Sequence, residues 1–159
     1  VQLTGYYPGV AGKVTELHAV YYHENWGFDI TFETQVGREL CEFFSELQDG
    51  RDGFWAATVN GEFAGAVAID GHDRDAARLR WFIVDPKFHN RGIGASLLKK
   101  AVQFCNEAGH HKVVLFTFEG LDEARRLYEK EGFVLTEESS IDKWGQTIKE
   151  QKFELHLEL

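Results

Sequence analysis

The chain has 159 residues, a length that suits a single domain, and residues 1–159 are expected to form one. Its 43% hydrophobic and 27% charged fractions are those of an ordinary globular protein, and two prolines are too few for long disordered linkers. A net charge of −9 argues against direct nucleic-acid contact and weakly favours a cationic substrate, and no run of about 18 apolar residues could span a membrane, so a cytoplasmic location is expected.

In chain order, residues 1–8 read as a short strand ending at Pro8. Val10, Val14, Leu17, Val20 and Tyr21 then recur at helical spacing to about Asn25, and Trp26-Gly27-Phe28 ends that helix. A second helix is expected from about Glu33 to Leu47, with Val36, Leu40, Phe43, Phe44 and Leu47 as its apolar stripe. Phe54–Val59 and Glu62–Ile69 flank Asn60-Gly61, the strongest short hairpin signal, and Ala76–Val84 adds a third antiparallel strand. A helix is expected from about Gly92 to Ala108, then a buried strand at Lys112–Phe118 and a helix at Asp122–Phe133 closed by Gly132. The last strands are expected at about Val134–Glu138 and Thr147–Leu157, joined by a loop, SSIDKWGQ. In the last strand Phe153, Leu155 and Leu157 alternate with Glu154 and His156, so one face is wet. That exposed strand makes a homodimer through strand pairing a possibility. Strand, helix and strand from Ala76 to Phe118 should form a crossover that leaves two neighbouring strands parallel. The fold class is α+β.

Cys41 and Cys105 both fall in apolar helical patterns and read as buried free thiols. His72 and the pair His110-His111 sit in turns with no acidic or Cys partner at ligand spacing, so no metal is expected.

The chemistry concentrates at IVDPKFHNRGIGASLLKKA, residues 83–101. A helix start carries unpaired N–H groups and a partial positive charge, and glycine lets a phosphate approach without meeting a Cβ. Arg-Gly-Ile-Gly between a strand and a helix is therefore an anion cradle, with Arg91 and Lys87 adding charge. The Walker A loop needs a Gly-Lys-Ser/Thr that Gly94-Ala95-Ser96 does not supply, and the dinucleotide fingerprint needs a third glycine where Leu97 stands. A plain helix start with glycines placed for packing is the alternative.

Two blocks together resemble the GNAT superfamily of acyl-CoA-dependent N-acyltransferases. The first is Val84-Asp85-Pro86 followed by His89-Asn90-Arg91-Gly92-Ile93-Gly94, similar to that family's phosphate loop. The second is Ala124-Arg125-Arg126-Leu127-Tyr128-Glu129-Lys130-Glu131-Gly132-Phe133. His89 replaces the usual Gln or Arg, and Leu121 stands where an Asn is common. Trp144–Leu157 and Tyr21–Glu33 resemble a branch that also occurs fused behind MarR-type regulators, and a chain that begins at Val1 without any Met fits an excised domain.

The resemblance implies a mixed, mostly antiparallel sheet with a central parallel strand pair, flanked by about four helices. It implies acetyl-CoA as cosubstrate, no metal, and transfer of the acetyl group by direct attack of a primary amine in a ternary complex. The amine belongs to a small molecule or peptide. Backbone groups of Phe82, Ile83 and Val84 would pair with the pantetheine arm. His89, Asn90, Arg91, Gly92, Ile93, Gly94, Ala95 and Ser96 would hold the pyrophosphate. Arg125, Arg126 and Lys130 are candidates for the 3′-phosphate end, or a solvated basic face. Tyr128 is placed to contact the cofactor and to act as acid for the departing thiolate. A free alkylamine has a pKa near ~10, so a base is also needed, and Glu24 is the first candidate. His18, Tyr22 and His23 share the first helix with it; Tyr22, His23, Asp142 and Trp144 are candidates for the acceptor site. A non-catalytic acyl-CoA-sensing module of a transcription regulator is the alternative function.

Overall fold

Several chain reversals are made where a residue tolerates a left-handed backbone. Gly27 (φ 72°) closes the first helix, and Asn60 (φ 50°) and Gly61 (φ 80°) make the tight hairpin the dipeptide predicts. The computed structural model describes residues 1–157. Its elements are β1 (Gln2–Thr4), α1 (Val10–Trp26), α2 (Ile30–Ser45), β2 (Gly53–Val59), β3 (Glu62–Asp70), β4 (Ala77–Val84), a 3₁₀ turn (Pro86–Phe88), α3 (Ile93–Ala108), β5 (Lys112–Phe118), α4 (Asp122–Lys130), β6 (Val134–Lys143) and β7 (Gln146–His156).

The strands form one sheet in the order β1-β2-β3-β4-β5-β7-β6. Only β4 and β5 are parallel; every other neighbouring pair is antiparallel. The fold is the expected α+β arrangement, a mostly antiparallel sheet with a central parallel pair and four helices. Val10 and Val14 of α1, with Leu40 and Phe43 of α2, pack on Phe54, Ala56, Ala66 and Ala68. Leu97, Leu98 and Ala101 of α3 and Tyr128 of α4 cover the other face, against Ala57, Val67, Ile69, Leu79 and Phe153. The sheet is thus buried on both sides, which is why the middle of β3 is a continuous apolar run.

Four local expectations differ from the structure. The predicted loop SSIDKWGQ is strand almost throughout: β6 runs to Lys143 and β7 starts at Gln146, so the turn is only Trp144 (φ 55°) and Gly145 (φ 80°). Polar residues hid the hairpin because β6 is an exposed edge strand, which has little apolar surface to bury. β7, expected as the exposed strand, lies between β5 and β6 and has no free edge to offer a second chain. The second helix begins earlier, at Ile30, because Asp29 caps it by accepting from Thr31 N–H at 3.0 Å. Cys105 is buried in the core, where burial pushes its thiol up to about 12, but Cys41 is exposed on α2.

Candidate active site

β4 and β5 run parallel for a short distance and then separate. Their pairing is confined to Ala77 with Val113 and Arg78 with Val114. Beyond that point β4 remains bonded to β3 as far as Val84, and β5 remains bonded to β7 as far as Phe118. Each strand keeps its outer neighbour and loses its inner one. The edge of β4 from Leu79 to Val84 is left without a strand partner, the condition for pairing with an extended ligand. A bulge reinforces the divergence: between Arg80 and Ile83, β4 has one more residue than β3 opposite, and Trp81 takes φ 49°.

A groove of about 630 Å³ opens at the splay. Phe82, Ile83 and Val84 line one side, and His89, Asn90, Gly92, Ile93, Gly94 and Ala95 line its end. Leu121, Ala124, Arg126 and Leu127 form the opposite wall, with Tyr21, Tyr22 and Trp26 of α1 above. The expected pyrophosphate loop therefore meets the expected strand edge.

The loop's local geometry explains its residues. Asn90 (φ 64°) and Gly92 (φ 76°) are both left-handed, and a Cβ on Gly92 would meet no atom within 4 Å. A Cβ on Gly94 would lie 3.0 Å from Leu127 Cδ1 and 3.4 Å from Phe82 Cζ, so Gly94 lets α3 approach α4. No side chain caps α3, and Ser96 is the first helix residue whose N–H reaches a carbonyl, that of Gly92 at 3.1 Å. The amides of Ile93, Gly94 and Ala95 are unspent. The first turn of α3 carries no acid, whereas α4, also at the groove, starts with Asp122 and Glu123. Of the two helix starts, only α3 has a dipole free for an anion. The residues present fit a diphosphate.

Side chains around this loop divide. Arg91 is exposed with its guanidinium 5.4 Å from the Phe88 ring, and Ser96 is exposed on the first turn of α3. Lys87 turns away and pairs with Glu62 at 2.7 Å. His89 Nε2 lies 3.1 Å from the Val84 carbonyl, and its Nδ1 lies 3.9 Å from Glu123. Arg126 lines the groove, while Arg125 pairs with Glu129 and lies over Phe153.

A second cavity, about 190 Å³, lies on the α1/α2 side of the sheet. The two share Tyr22, Phe82, Leu121 and Ala124, so they meet where the strands part. Tyr128 belongs to this second cavity and is 5% exposed, its ring among Phe82, Phe133 and Phe153 at 5.7, 5.9 and 6.0 Å. Tyr22 faces it from α1, stacked on Phe28. Burial raises both phenols well above the ordinary tyrosine range; Tyr128 and then Tyr21 push Tyr22 further. Neither hydroxyl has a hydrogen-bond partner among the described residues. Among the described residues no fully enclosed side-chain N or O lacks a partner, so both hydroxyls open into the cavity.

His18, one turn before Tyr22, also lines this cavity. Its Nδ1 lies 2.8 Å from the Val14 carbonyl, so that nitrogen is the donor and Nε2 keeps its lone pair. Burial lowers this imidazole to about 4, against a smaller upward pull from Val14, which leaves it neutral near pH 7.

Trp144 is half-buried against Phe28 and Phe32, 4.9 Å from each, and donates Nε1–H to Gln35 at 2.9 Å. It lines the second cavity, but Asp142 does not: that carboxylate is exposed and accepts from Thr147. His23 Nδ1 lies 2.9 Å from the Phe28 carbonyl at the end of α1. Glu24 lies in a separate groove with Glu16, Glu62 and Lys87. The fold therefore brings Tyr22, Tyr128 and Trp144 together and leaves Glu24, His23 and Asp142 outside. Residues that sequence reasoning did not single out are Trp26, Gln35 and Arg78. The alternation of β4 places Arg78 and Arg80 on one face, but only the splay shows that this face borders a cavity.

Among the described residues no helix is long and apolar enough to cross a membrane, and no group of three His, Cys, Asp or Glu stands at metal-binding distance.

Comparison with known proteins agrees with this fold. An uncharacterised N-acetyltransferase of Methanocaldococcus jannaschii is 28% identical over 136 residues, 82% of this chain and 59% of that protein. Human N-acetylaspartate synthetase is 35% identical over 81 residues, 50% of this chain and 27% of that protein. The chain thus spans less than two thirds of either relative's length. The structure of YncA from Salmonella typhimurium with its cofactor acetyl-CoA superposes with a TM-score of 0.80 at 16% identity, covering 99% of this chain and 94% of that one. Residues 13–133 match the acetyltransferase (GNAT) family, and the chain belongs to it.

Proposed function

We propose that the protein moves an acetyl group from acetyl-CoA to a primary amine by direct attack within a ternary complex. One observation carries the reading: the groove and the second cavity meet at the point where β4 loses its partner, with Tyr22 and Tyr128 at the junction. A donor and an acceptor entering from opposite faces of the sheet would meet there, held in attack geometry.

Acetyl-CoA supplies the thioester. The amides of residues 93–95 hold its diphosphate, and the edge of Phe82–Val84 pairs with the pantetheine arm. The amine nitrogen forms a C–N bond to the carbonyl carbon as the C–S bond breaks. The phenol of Tyr128 gives its proton to the departing sulfur. Its burial keeps it protonated near pH 7, the form an acid requires. Water in the open cavity accepts the amine's proton and returns one to the Tyr128 phenolate, so the protons balance and the acid is restored.

The test is release of free CoA thiol from acetyl-CoA with a panel of amines, run beside a thermal-shift titration with CoA. Turnover with at least one amine is expected. Stabilisation by CoA without turnover would instead support the acyl-CoA-sensing module, and neither effect would remove the cofactor reading altogether.

A further inference from the structure

Arg78 and Arg80 stand two residues apart on the same face of β4, and their surroundings differ. Arg80 is neutralised twice, by Glu39 of α2 and by Asp70 of β3 at 3.5 Å, with its guanidinium over the Trp81 ring. Arg78 has no carboxylate in contact among the described residues. Its guanidinium lies over the ring of Phe116, 5.1 Å away. This is notable because the chain has 26 acidic against 17 basic side chains. Carboxylates are in surplus, yet among the described residues none is in ion-pair contact with this exposed arginine, which lines the cavity holding Tyr22 and Tyr128 and also borders a pocket with Glu39, Glu42, Glu46 and Asp70.

Lys143, at the end of β6, lines the same cavity without an ion-pair partner among the described residues and lies 5.4 Å from the Trp144 ring. Glu150 of β7 is the one unpaired acid in the lining. Of the charged side chains that line the cavity, Arg78, Arg80 and Lys143 stand against Glu39 and Glu150, so the lining itself is positive within an acidic molecule. An arginine resting on an aromatic face keeps its fork of N–H donors open to a planar, bidentate acceptor. The cavity's 190 Å³ is about six waters' worth of liquid, which suits a small molecule.

We infer that Arg78 binds a carboxylate on the acceptor, so that the amine presented at the junction belongs to a small amino acid or similar anionic amine. The inference rests on the acetyl-transfer reading and narrows its substrate class. It runs against the cationic acceptor that net charge favours, because the field at a site is set by the few charges lining it.

The test compares matched acceptors: acidic and neutral amino acids against the same compounds as amides or without the carboxylate. Each is assayed with the intact protein, Arg78→Gln and Arg78→Lys. The expected result is a higher kcat/KM for carboxylated acceptors, lowered roughly 10- to 100-fold in Arg78→Gln through KM, a loss of the size expected for a charge-assisted hydrogen bond. Arg78→Lys should recover part of it. The KM for acetyl-CoA and the rate with uncharged amines should not change. A preference for uncharged or cationic amines, or a carboxylate preference that survives Arg78→Gln, overturns the inference. Calorimetric binding of the same compounds to the CoA complex gives a second readout. If no amine turns over, the transfer reading fails, while carboxylate binding that Arg78→Gln abolishes still supports the site. Absence of such binding overturns it.

Discussion

Replacing Tyr128 by Phe removes one oxygen and little else. The ring contacts to Phe82, Phe133 and Phe153 persist, because each is made by carbon atoms. The hydroxyl has no hydrogen-bond partner among the described residues, so no net hydrogen bond is lost and stability should change by less than about 1 kcal/mol. For a domain of this size that is a Tm shift of only a few degrees. Catalysis should respond very differently. Loss of a positioned acid costs about 10²- to 10⁴-fold in kcat, or about 3–5 kcal/mol of barrier. Thiol release under saturating acetyl-CoA and amine measures the rate; scanning calorimetry on the same sample measures the fold. CoA affinity should stay within about twofold, since the phenol is asked only to donate to the leaving sulfur. A kcat within about twofold of the parent would remove Tyr128 from the chemistry. A large drop in Tm would show that the hydroxyl serves structure instead.

Gly92→Ala places a side chain at φ 76° in open space, so about 1–2 kcal/mol of backbone strain should lower Tm by several degrees while CoA binding weakens at least tenfold by titration calorimetry. Gly94→Val drives its branched side chain against Leu127 and Phe82, and should both destabilise by about 1–3 kcal/mol and reduce CoA affinity. His18 should make the protein acid-sensitive. Its folded pKa is about 4 against about 6.5 unfolded, so the native state binds fewer protons in that window. Stability is therefore full above pH 6.5 and should fall by about 3 kcal/mol as pH drops towards 4, by denaturant titration; His18→Gln should flatten that decline. Trp144→Ala forfeits the contacts with Phe28 and Phe32 and strands Gln35, and should cost about 3 kcal/mol, seen as an earlier urea midpoint.

Much of the architecture was legible because its signals are local. Asn60-Gly61 demands a left-handed pair, Gly27 ends a helix, and the run Gly92-Ile93-Gly94 marks a helix start that tolerates an anion. Each works through the backbone freedom of one or two residues, so no distant contact is needed to read it. The hairpin of β6 and β7 was missed for the complementary reason. Its strand character comes from ladder bonds to a partner strand, and its polar exposed face carries no periodic apolar signal.

By itself, the sequence determined the order of elements, the parallel crossover and the glycine-flanked start of α3, all set by short-range conformational preference and by the two blocks that match the family. The tertiary structure alone decided which side chains line the two cavities. Whether α1 presents Tyr22 and His18 or Glu24 to the site depends on which side of that helix the sheet covers. Whether Arg78 is neutralised depends on Glu39 and Asp70, residues from two other elements, both of which engage Arg80 instead. Charge and cavity are sums over neighbours brought together by folding, and no stretch of the chain contains those neighbours.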